Sequence, residues 1–551
     1  ANIIRLGNTA FKDCISLESI DLSNIKEIGN NTFEGCTSLA SVDLRSVNTI
    51  GSYAFKGCTA LTEVYIPDSV VSMGTSVFLD CDNLETLTVS EGNSAYRLGS
   101  AGELLDYDGT QILYVPASAT GEYVIEQGMT AGDYAFAGTG VTKVVIPSSM
   151  TVIPQGMFAN CVDLKEVELH DGVTEIKAEA FMGSGIESIY IGKNVTTIGN
   201  NAFKDCADLA QITFGENGSS VLSMGNSAFE NCVSLVNVEL PRRVRAPQKV
   251  TTDRNGNVTI TTQASALGTR CFAGCTGLEA LTFAQSGAEW MTEALTIGQY
   301  AFYGCTSLTS ITLPEYSRSG SSTAYYAIGA HAFEGCTELV SFVREGRDPT
   351  SGYRGAYYDI GGYAFYGCSG LKTVVIPSNC YFDGEFIFSG TAIEEITLYL
   401  NGAFGSPKSM FENCEQLVSV TLVHTALIAT TIYDRMFANC TALESVTVEN
   451  ERNGISAINA AAFLNCSSLT ELNLPFGLKT IGANAFEGCT SLDFVLKASV
   501  TTIGANAFKG WTSEQTITSE IASDEIPSGW SSEWNEGCGA SIVWATRNAG
   551  N

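Results

Sequence analysis

Cysteine is the residue whose number and spacing most invite a chemical reading of this chain. There are 18, and 15 of them stand three residues after a phenylalanine, from Cys14 through Cys489; only Cys271, Cys380 and Cys538 fall outside that register. A disulfide framework, a thiolate nucleophile or a metal cluster needs thiols that converge or are exposed. Regular recurrence does neither. It lays equivalent thiols side by side, about 4.8 Å apart if they ride on neighbouring strands, with their Cβ vectors parallel instead of facing. Three copies carry Thr139, Ser184 and Thr391 in the cysteine slot, and each reaches its next apolar residue (Val141, Ile186, Ile393) one position early. Loss of the cysteine tracks the length of the turn, which marks it as a packing residue. The expectation is a ladder of buried free thiols acting as small hydrophobes, and the count says nothing about redox compartment.

The other chemical candidates are thin. Cys271-Phe-Ala-Gly-Cys275 has the look of a metal or redox pair, but Cys275 belongs to the ladder and Cys271 takes a small-residue slot usually held by Ala. The three histidines, His170, His331 and His424, have no partner at metal-ligand spacing and are expected on turns or at the surface. Asp106-Tyr-Asp108-Gly109 and Asp253-Arg-Asn255-Gly256-Asn257 are similar to the start of a calcium loop but lack its remaining ligands and closing glutamate, so hairpin turns explain them. A cysteine–histidine site would need an exposed, activated thiol, and burial acts in the opposite sense. No catalytic, cofactor-binding or metal-binding residues are assigned.

The elements that place these residues are copies of one sentence. Ile481–Leu492 reads Ile-Gly-Ala-Asn-Ala-Phe-Glu-Gly-Cys-Thr-Ser-Leu, and its phenylalanine recurs in 19 copies from Phe11 to Phe508, the shortest step being 22 residues. Such a period means a solenoid, in which each unit buries its apolar side only against its neighbours. Leu472-Asn473-Leu474 alternates as a half-buried strand and Pro475 stops it. Leu478 and Ile481 make a second apolar step. Gly stands four residues before the phenylalanine in 14 of the 19 copies, which predicts a backbone conformation costly for other residues. Ala-Phe-x-x-Cys predicts a short helical or 3₁₀ turn burying Phe and Cys. Strands stacked on one side with bulkier turns opposite predict an arc.

A length of 551 residues would ordinarily suggest several domains, but a solenoid lengthens by adding coils. Hydrophobic residues make up 45% of the chain, which disfavours disorder. The net charge of −30 argues against nucleic acid and anionic membrane as general partners, since both need clustered cations. No run of 18 apolar residues is present, so no spanning helix is expected. Ala1 opens directly on repeat sequence without a signal-like region, the expected start of a fragment of a longer protein.

Three interruptions stand out. Between Phe78 and Phe136, Gly102–Pro116 predicts a hairpin turning at Asp108-Gly109. After Pro241, Val250–Ile260 predicts a strand pair turning at Asn255-Gly256. Three coils then carry enlarged loops at Ala284–Thr296, Glu315–Ala327 and Arg344–Asp359. Residues 241–360 hold 10 basic and 10 acidic side chains, so the rest of the chain carries the whole negative charge. Their Arg318, Tyr325, Tyr326, Arg344, Arg347, Tyr353, Arg354, Tyr357 and Tyr358 are candidate ligand-binding residues, since Tyr and Arg are enriched at binding hot spots. Alternatively, these loops have drifted in sequence and cover one another. The expected organisation is one solenoid over 1–510, with a hairpin insertion at 93–135 and enlarged loops at 241–361. A cap is expected at 511–551, where four of the five tryptophans gather.

Ile-Gly-x-x-Ala-Phe-x-Gly-Cys-x-x-Leu-x-x-Ile-x-Ile-Pro resembles the repeat of the BspA-like leucine-rich-repeat family, in its 22-residue form at Phe181–Phe203 and Phe486–Phe508. Asn93–Phe136 and the Trp530…Trp534…Cys538…Trp544 ending are similar to segments of its large members. The resemblance implies a mixed α/β leucine-rich-repeat solenoid: a curved right-handed superhelix with a parallel strand stack on the concave side and short turns or 3₁₀ helices on the convex side. It also implies an extracellular protein, secreted or anchored at the cell surface, without enzymatic activity or cofactor. A monomer is expected, adhering to a host extracellular-matrix or cell-surface protein or to a glycan, with no nucleic acid and no direct membrane insertion. A structural spacer displaying another domain is the alternative. An enzyme on the scaffold has no supporting constellation.

Overall fold

The computed structural model describes residues 3–215, 222–241, 244–245, 249–252, 258–261, 265–283, 295–311, 325–342, 357–376, 380–400, 405–424, 430–449, 454–474 and 477–546. They form two compact units, 1–259 and 260–551, built on one plan.

Most of the described coils contribute a strand to each of two parallel ladders, the first coils to only the second of them. The first, the face ladder, follows the Leu-x-Leu stretch. In the first unit it includes Ser188–Ile191, Gln211–Phe214 and Asn237–Leu240; in the second, Glu395–Leu400, Ser419–His424, Ser445–Glu449 and Glu471–Asn473 run side by side. Alternate residues are buried, as for Ile396 and Leu398, and the outward positions align as the row Thr397–Thr421–Thr447. The β-branched threonines suit that half-exposed surface without any ligand. The second, or step, ladder is shorter: Glu27–Ile28, Thr49–Ile50 and Ser72–Met73 in the first unit, Ile455–Ile458, Thr480–Ile481 and Thr502–Ile503 in the second.

No helix, α or 3₁₀, occurs among the described residues, which corrects the expected mixed α/β character and helical turn. The reason lies in where the amides go. In the Phe33 coil, the N–H groups of Asn31, Phe33 and Gly35 donate to the carbonyls of Ser52, Ala54 and Lys56 in the next coil, at 2.8–3.0 Å. The intervening amides of Glu34 and Cys36 close local turns on Asn31 and Phe33. A helix needs consecutive amides pointing one way along the chain; here they alternate, so the turn is itself a third ladder. Alternation requires a left-handed residue two before and two after the phenylalanine, and both positions have positive φ in every copy, such as Asn31 (56°) and Gly35 (72°). The second position is always Gly, Asn or Asp, the residues that enter this region most easily.

The glycine four before the phenylalanine has another cause. Of the 14, only Gly384 has positive φ. At Gly29, Gly51, Gly74, Gly199, Gly482 and Gly504 a Cβ would lie 2.3–2.7 Å from a backbone nitrogen of the preceding coil. The coils approach too closely for a side chain.

Inside, the phenylalanines stack at 4.9–5.8 Å, their rings nearly parallel from Phe272 to Phe508. Phe508 is met edge-on by Trp511 and Trp534, and the tail adds a rung to each ladder through Gly529–Trp530 and Ser541–Val543. The hairpin within 102–116 is present as antiparallel Leu104–Asp106 and Gln111–Tyr114, joined by a third antiparallel strand, Tyr96–Leu98. Lys249–Thr252 and Val258–Thr261 form the two-stranded sheet expected after Pro241; its turn and Pro475 lie outside the described residues. No helix there is long and apolar enough to cross a membrane.

Candidate functional site

The thiol ladder is closed to chemistry. All 18 cysteines are free; only Cys14 is exposed and Cys538 is half-buried, while Cys271 and Cys380 are buried with the rest. Each ladder thiol in a regular stack donates to the carbonyl of the phenylalanine one coil back, as from Cys36 to Phe11 (3.1 Å) and from Cys489 to Phe463 (3.0 Å). Burial pushes Cys161 and Cys414 up to about 11 and Cys58, Cys206 and Cys368 up to about 12, so none is a thiolate near neutrality. Trp511 takes the slot after Phe508, and its Nε1 donates to Phe486 O at 2.8 Å.

Asp106 caps its own hairpin, accepting from the amides of Thr110 (2.7 Å) and Gln111 (2.9 Å) and from the Thr110 hydroxyl (2.9 Å). Burial pushes its carboxyl up, but hydrogen bonds from Gln111, Thr110 and Gly109 more than offset this and hold it below the usual range. Among the described residues no three His, Cys, Asp or Glu side chains converge as a metal site would require. His170 is satisfied by Pro147 O of the preceding coil (2.9 Å) and by the Gly172 amide of its own turn (3.0 Å). The His424 side chain lies outside the described residues.

Of the nine predicted ligand-binding residues, Arg318, Arg344, Arg347, Tyr353 and Arg354 lie outside the described residues. Tyr325 and Tyr326 open the step strand Tyr325–Ile328 and pair with Tyr357 and Tyr358 at the head of Tyr357–Gly361. Tyr358 is 6% exposed, so its ring is part of the interior and not a surface contact.

The same coils carry an aromatic row that the sequence reading passed over. Each step strand delivers, two or three residues later, the left-handed residue before the phenylalanine. In five successive coils of the second unit these are Arg270, Tyr300, His331, Tyr363 and Phe386, with φ of 57–59°. Tyr300 and His331 stack at 4.5 Å and 3°, His331 and Tyr363 at 4.8 Å and 9°, Tyr363 and Phe386 at 5.1 Å and 27°. The Arg270 guanidinium lies over Tyr300 and Tyr303, 5.8 and 5.9 Å from the ring centroids, a cation–π arrangement. The His331 ring nitrogen Nδ1 meets the Glu334 carboxylate. Tyr303 and Tyr366 stand at an angle beside this stack and are 39% and 38% exposed. Burial, with the Glu385 and Glu334 charges, holds the Tyr363 phenol above its usual value, so it stays a neutral hydroxyl. The available signal was Tyr-Ala-Phe-Tyr-Gly-Cys at both 300–305 and 363–368, with His-Ala-Phe between. Read singly, each slot is merely variable; only stacking brings them together.

The family described as BspA type leucine rich repeat region (6 copies) matches over five segments, residues 1–99, 130–251, 251–344, 354–457 and 430–529. Among solved structures, a leucine-rich repeat protein from Bacteroides ovatus is 19% identical, covering 90% of this chain and 88% of that one, with a TM-score of 0.31. A leucine rich cell surface protein from Faecalibacterium prausnitzii is 20% identical over 74% and 84%, TM-score 0.28. The pneumococcal vaccine antigen PcpA is 14% identical over 82% and 96%, TM-score 0.36. Superpositions this loose add nothing to the repeat match. No curated protein matches the chain.

Proposed function

The chain belongs to the BspA type leucine-rich-repeat family, and from that premise we propose that it is an extracellular, noncatalytic binding protein presenting its coil surface to a host protein or glycan. The observation that carries this reading is the row Arg270–Tyr300–His331–Tyr363–Phe386 with Tyr303 and Tyr366 beside it. The left-handed conformation is the repeat's own requirement at this position in every coil; what is particular to these five is that bulky aromatic and guanidinium side chains fill it in succession and stack coil on coil. Arg270, Tyr300, Tyr303 and His331 lie within the charge-balanced stretch 241–360 of an acidic chain, and Tyr363, Tyr366 and Phe386 follow just after it, so a partner meets aromatic and guanidinium surface at that end of the row without general repulsion. Tyr and Arg are the side chains that anchor protein interfaces, and tyrosine offers flat apolar surface with a polar tip to either partner. On this reading Arg318, Tyr325, Tyr326, Arg344, Arg347, Tyr353, Arg354 and Tyr357 are further candidates for contributing to binding.

The test is a screen of the purified chain against extracellular-matrix proteins and a glycan array. It is repeated with Tyr303→Ala/Tyr366→Ala and with Tyr353→Ala/Arg354→Ala/Tyr357→Ala. A hit weakened by either variant, with thermal unfolding unchanged, supports the reading. Silence of the parent chain in both screens favours the spacer, which needs no ligand; a hit that neither variant alters removes the site from this surface.

A further inference from the structure

The turn ladder of the first unit is missing a rung. In the Phe55 coil, the amides of Tyr53, Phe55 and Gly57 donate to the carbonyls of Thr75, Val77 and Leu79 at 3.0, 3.0 and 2.8 Å. The same geometry one coil later aims the amides of Ser76, Phe78 and Asp80 at a following turn. The chain instead leaves into its antiparallel insertion, and the next turn of this kind comes only at Phe136. Tyr114 takes the interior place, edge-on to Phe78 at 5.9 Å, and the Val115 amide donates to Ala135 O at 2.8 Å. The Ser76 hydroxyl reaches across to Asp133 O at 3.1 Å. Among the described residues the amides of Ser76, Phe78 and Asp80 have no acceptor.

Beyond Leu79, Tyr134 and Ala137 lies an open cleft of about 260 Å³, with Glu34, Lys56, Asp80 and Glu179 on its walls. It adjoins a recess of about 30 Å³ lined by Ser76, Phe78 and Tyr134. The size approaches the lower end for ligand pockets, about 300–1,000 Å³. Its charge is net negative: three carboxylates face one ammonium, Lys56, which lies 3.7 Å from Asp80. Glu179 accepts from the Tyr134 hydroxyl at 2.5 Å. Glu34 is paired with Lys12 at 3.0 Å.

We propose that this missing rung is a docking slot for a short peptide segment of a partner that carries Lys or Arg. The equivalent amides elsewhere take alternate main-chain carbonyls, of residues i, i+2 and i+4, and a peptide is the ligand that offers three carbonyls at that interval. Main-chain bonds of this kind supply affinity while side-chain contacts supply specificity, here a cation among Asp80, Glu34 and Glu179. The slot is in the first unit and shares no residue with the aromatic row, so either can fail alone.

The experiment is hydrogen exchange read amide by amide on the full chain, with N-acetylated, C-amidated tetralysine as probe and tetraglutamate as control. In the free protein, Ser76 and Asp80 exchange about tenfold or more faster than Tyr53 and Gly57, because hydrogen-bonded amides exchange only through opening. Tetralysine slows them and tetraglutamate does not. Asp80→Asn combined with Glu179→Gln keeps both turn geometry and hydrogen-bond acceptors, and weakens tetralysine binding about tenfold. Slow exchange at Ser76 and Asp80 in the free protein overturns the missing rung. Absence of protection by tetralysine, equal protection by tetraglutamate, or undiminished binding by the double variant overturns the peptide slot.

Discussion

At the scale of single residues, the cysteines show how a repeat can imitate chemistry. Their slot asks for a donor: a thiol in most coils, Trp511 Nε1 in one, and hydroxyls at Thr139 and Thr391 that turn to their own phenylalanine carbonyl at 2.8 and 2.9 Å. Two measurements follow. Brief alkylation of the native protein near neutral pH labels Cys14, then Cys538 more slowly, and leaves the ladder silent until denaturant is added; rapid labelling of several ladder thiols contradicts the burial. The second is alkaline stability. An unfolded thiol ionises near pH 8.5, whereas burial holds Cys161 and Cys414 at about 11. The folded state keeps protons that the unfolded state releases, so this contribution is whole below about pH 8.5 and is lost as pH rises towards 11. The melting temperature therefore falls between about pH 9 and 11, and falls less steeply in Cys161→Ala/Cys414→Ala. Parallel slopes would disprove the linkage. Burial of these thiols was legible, because the missing cysteines tracked turn length; their donation to the preceding coil was not, since it depends on which carbonyl the stacking presents.

At the scale of the element, two glycines in one turn have different reasons to be glycine, and substitution separates them. Gly51 is constrained by space: its Cβ would sit 2.5 Å from Asn30 N, so Gly51→Asn and Gly51→Ala each cost about 1–3 kcal/mol through displaced backbone. Gly57 is constrained by φ, +69°, with nothing nearer than 3.7 Å. Gly57→Ala costs about 1–2 kcal/mol, while Gly57→Asn is close to neutral because Asn enters the left-handed region readily. Urea midpoints for the four variants decide it, and equal losses for the two Asn variants would refute the distinction. The strands were readable from alternation at Leu472–Leu474 and from the Ile-Gly step. The helical turn was misread because Ala-Phe-x-x-Cys fixes which residues are buried and leaves open whether their amides point along the chain or across to the next coil.

For the whole molecule, charge sets the terms. With −30 overall and none of that excess in 241–360, carboxylate repulsion opposes folding until it is screened. Raising salt from about 10 to about 200 mM shortens the Debye length from about 30 Å to under 10 Å, and the melting temperature should rise. The exposed pairs, such as Arg5–Glu27 at 3.2 Å, lose about 0–1 kcal/mol each at most, and the acidic excess outweighs them. A melting temperature that falls with salt would show the ion pairs to dominate. Solenoid architecture, family membership and thiol burial could all be read from the chain alone, because 19 repetitions of one pattern leave little freedom in what must be buried. What needed the tertiary structure is everything that exists only between coils: the aromatic row from Arg270 to Phe386, the burial of Tyr358, and the unanswered amides at Ser76, Phe78 and Asp80. Residues 22 or more apart in sequence become neighbours only when one coil is laid on the next, and the length of the intervening loop, not the repeat, decides which ones meet.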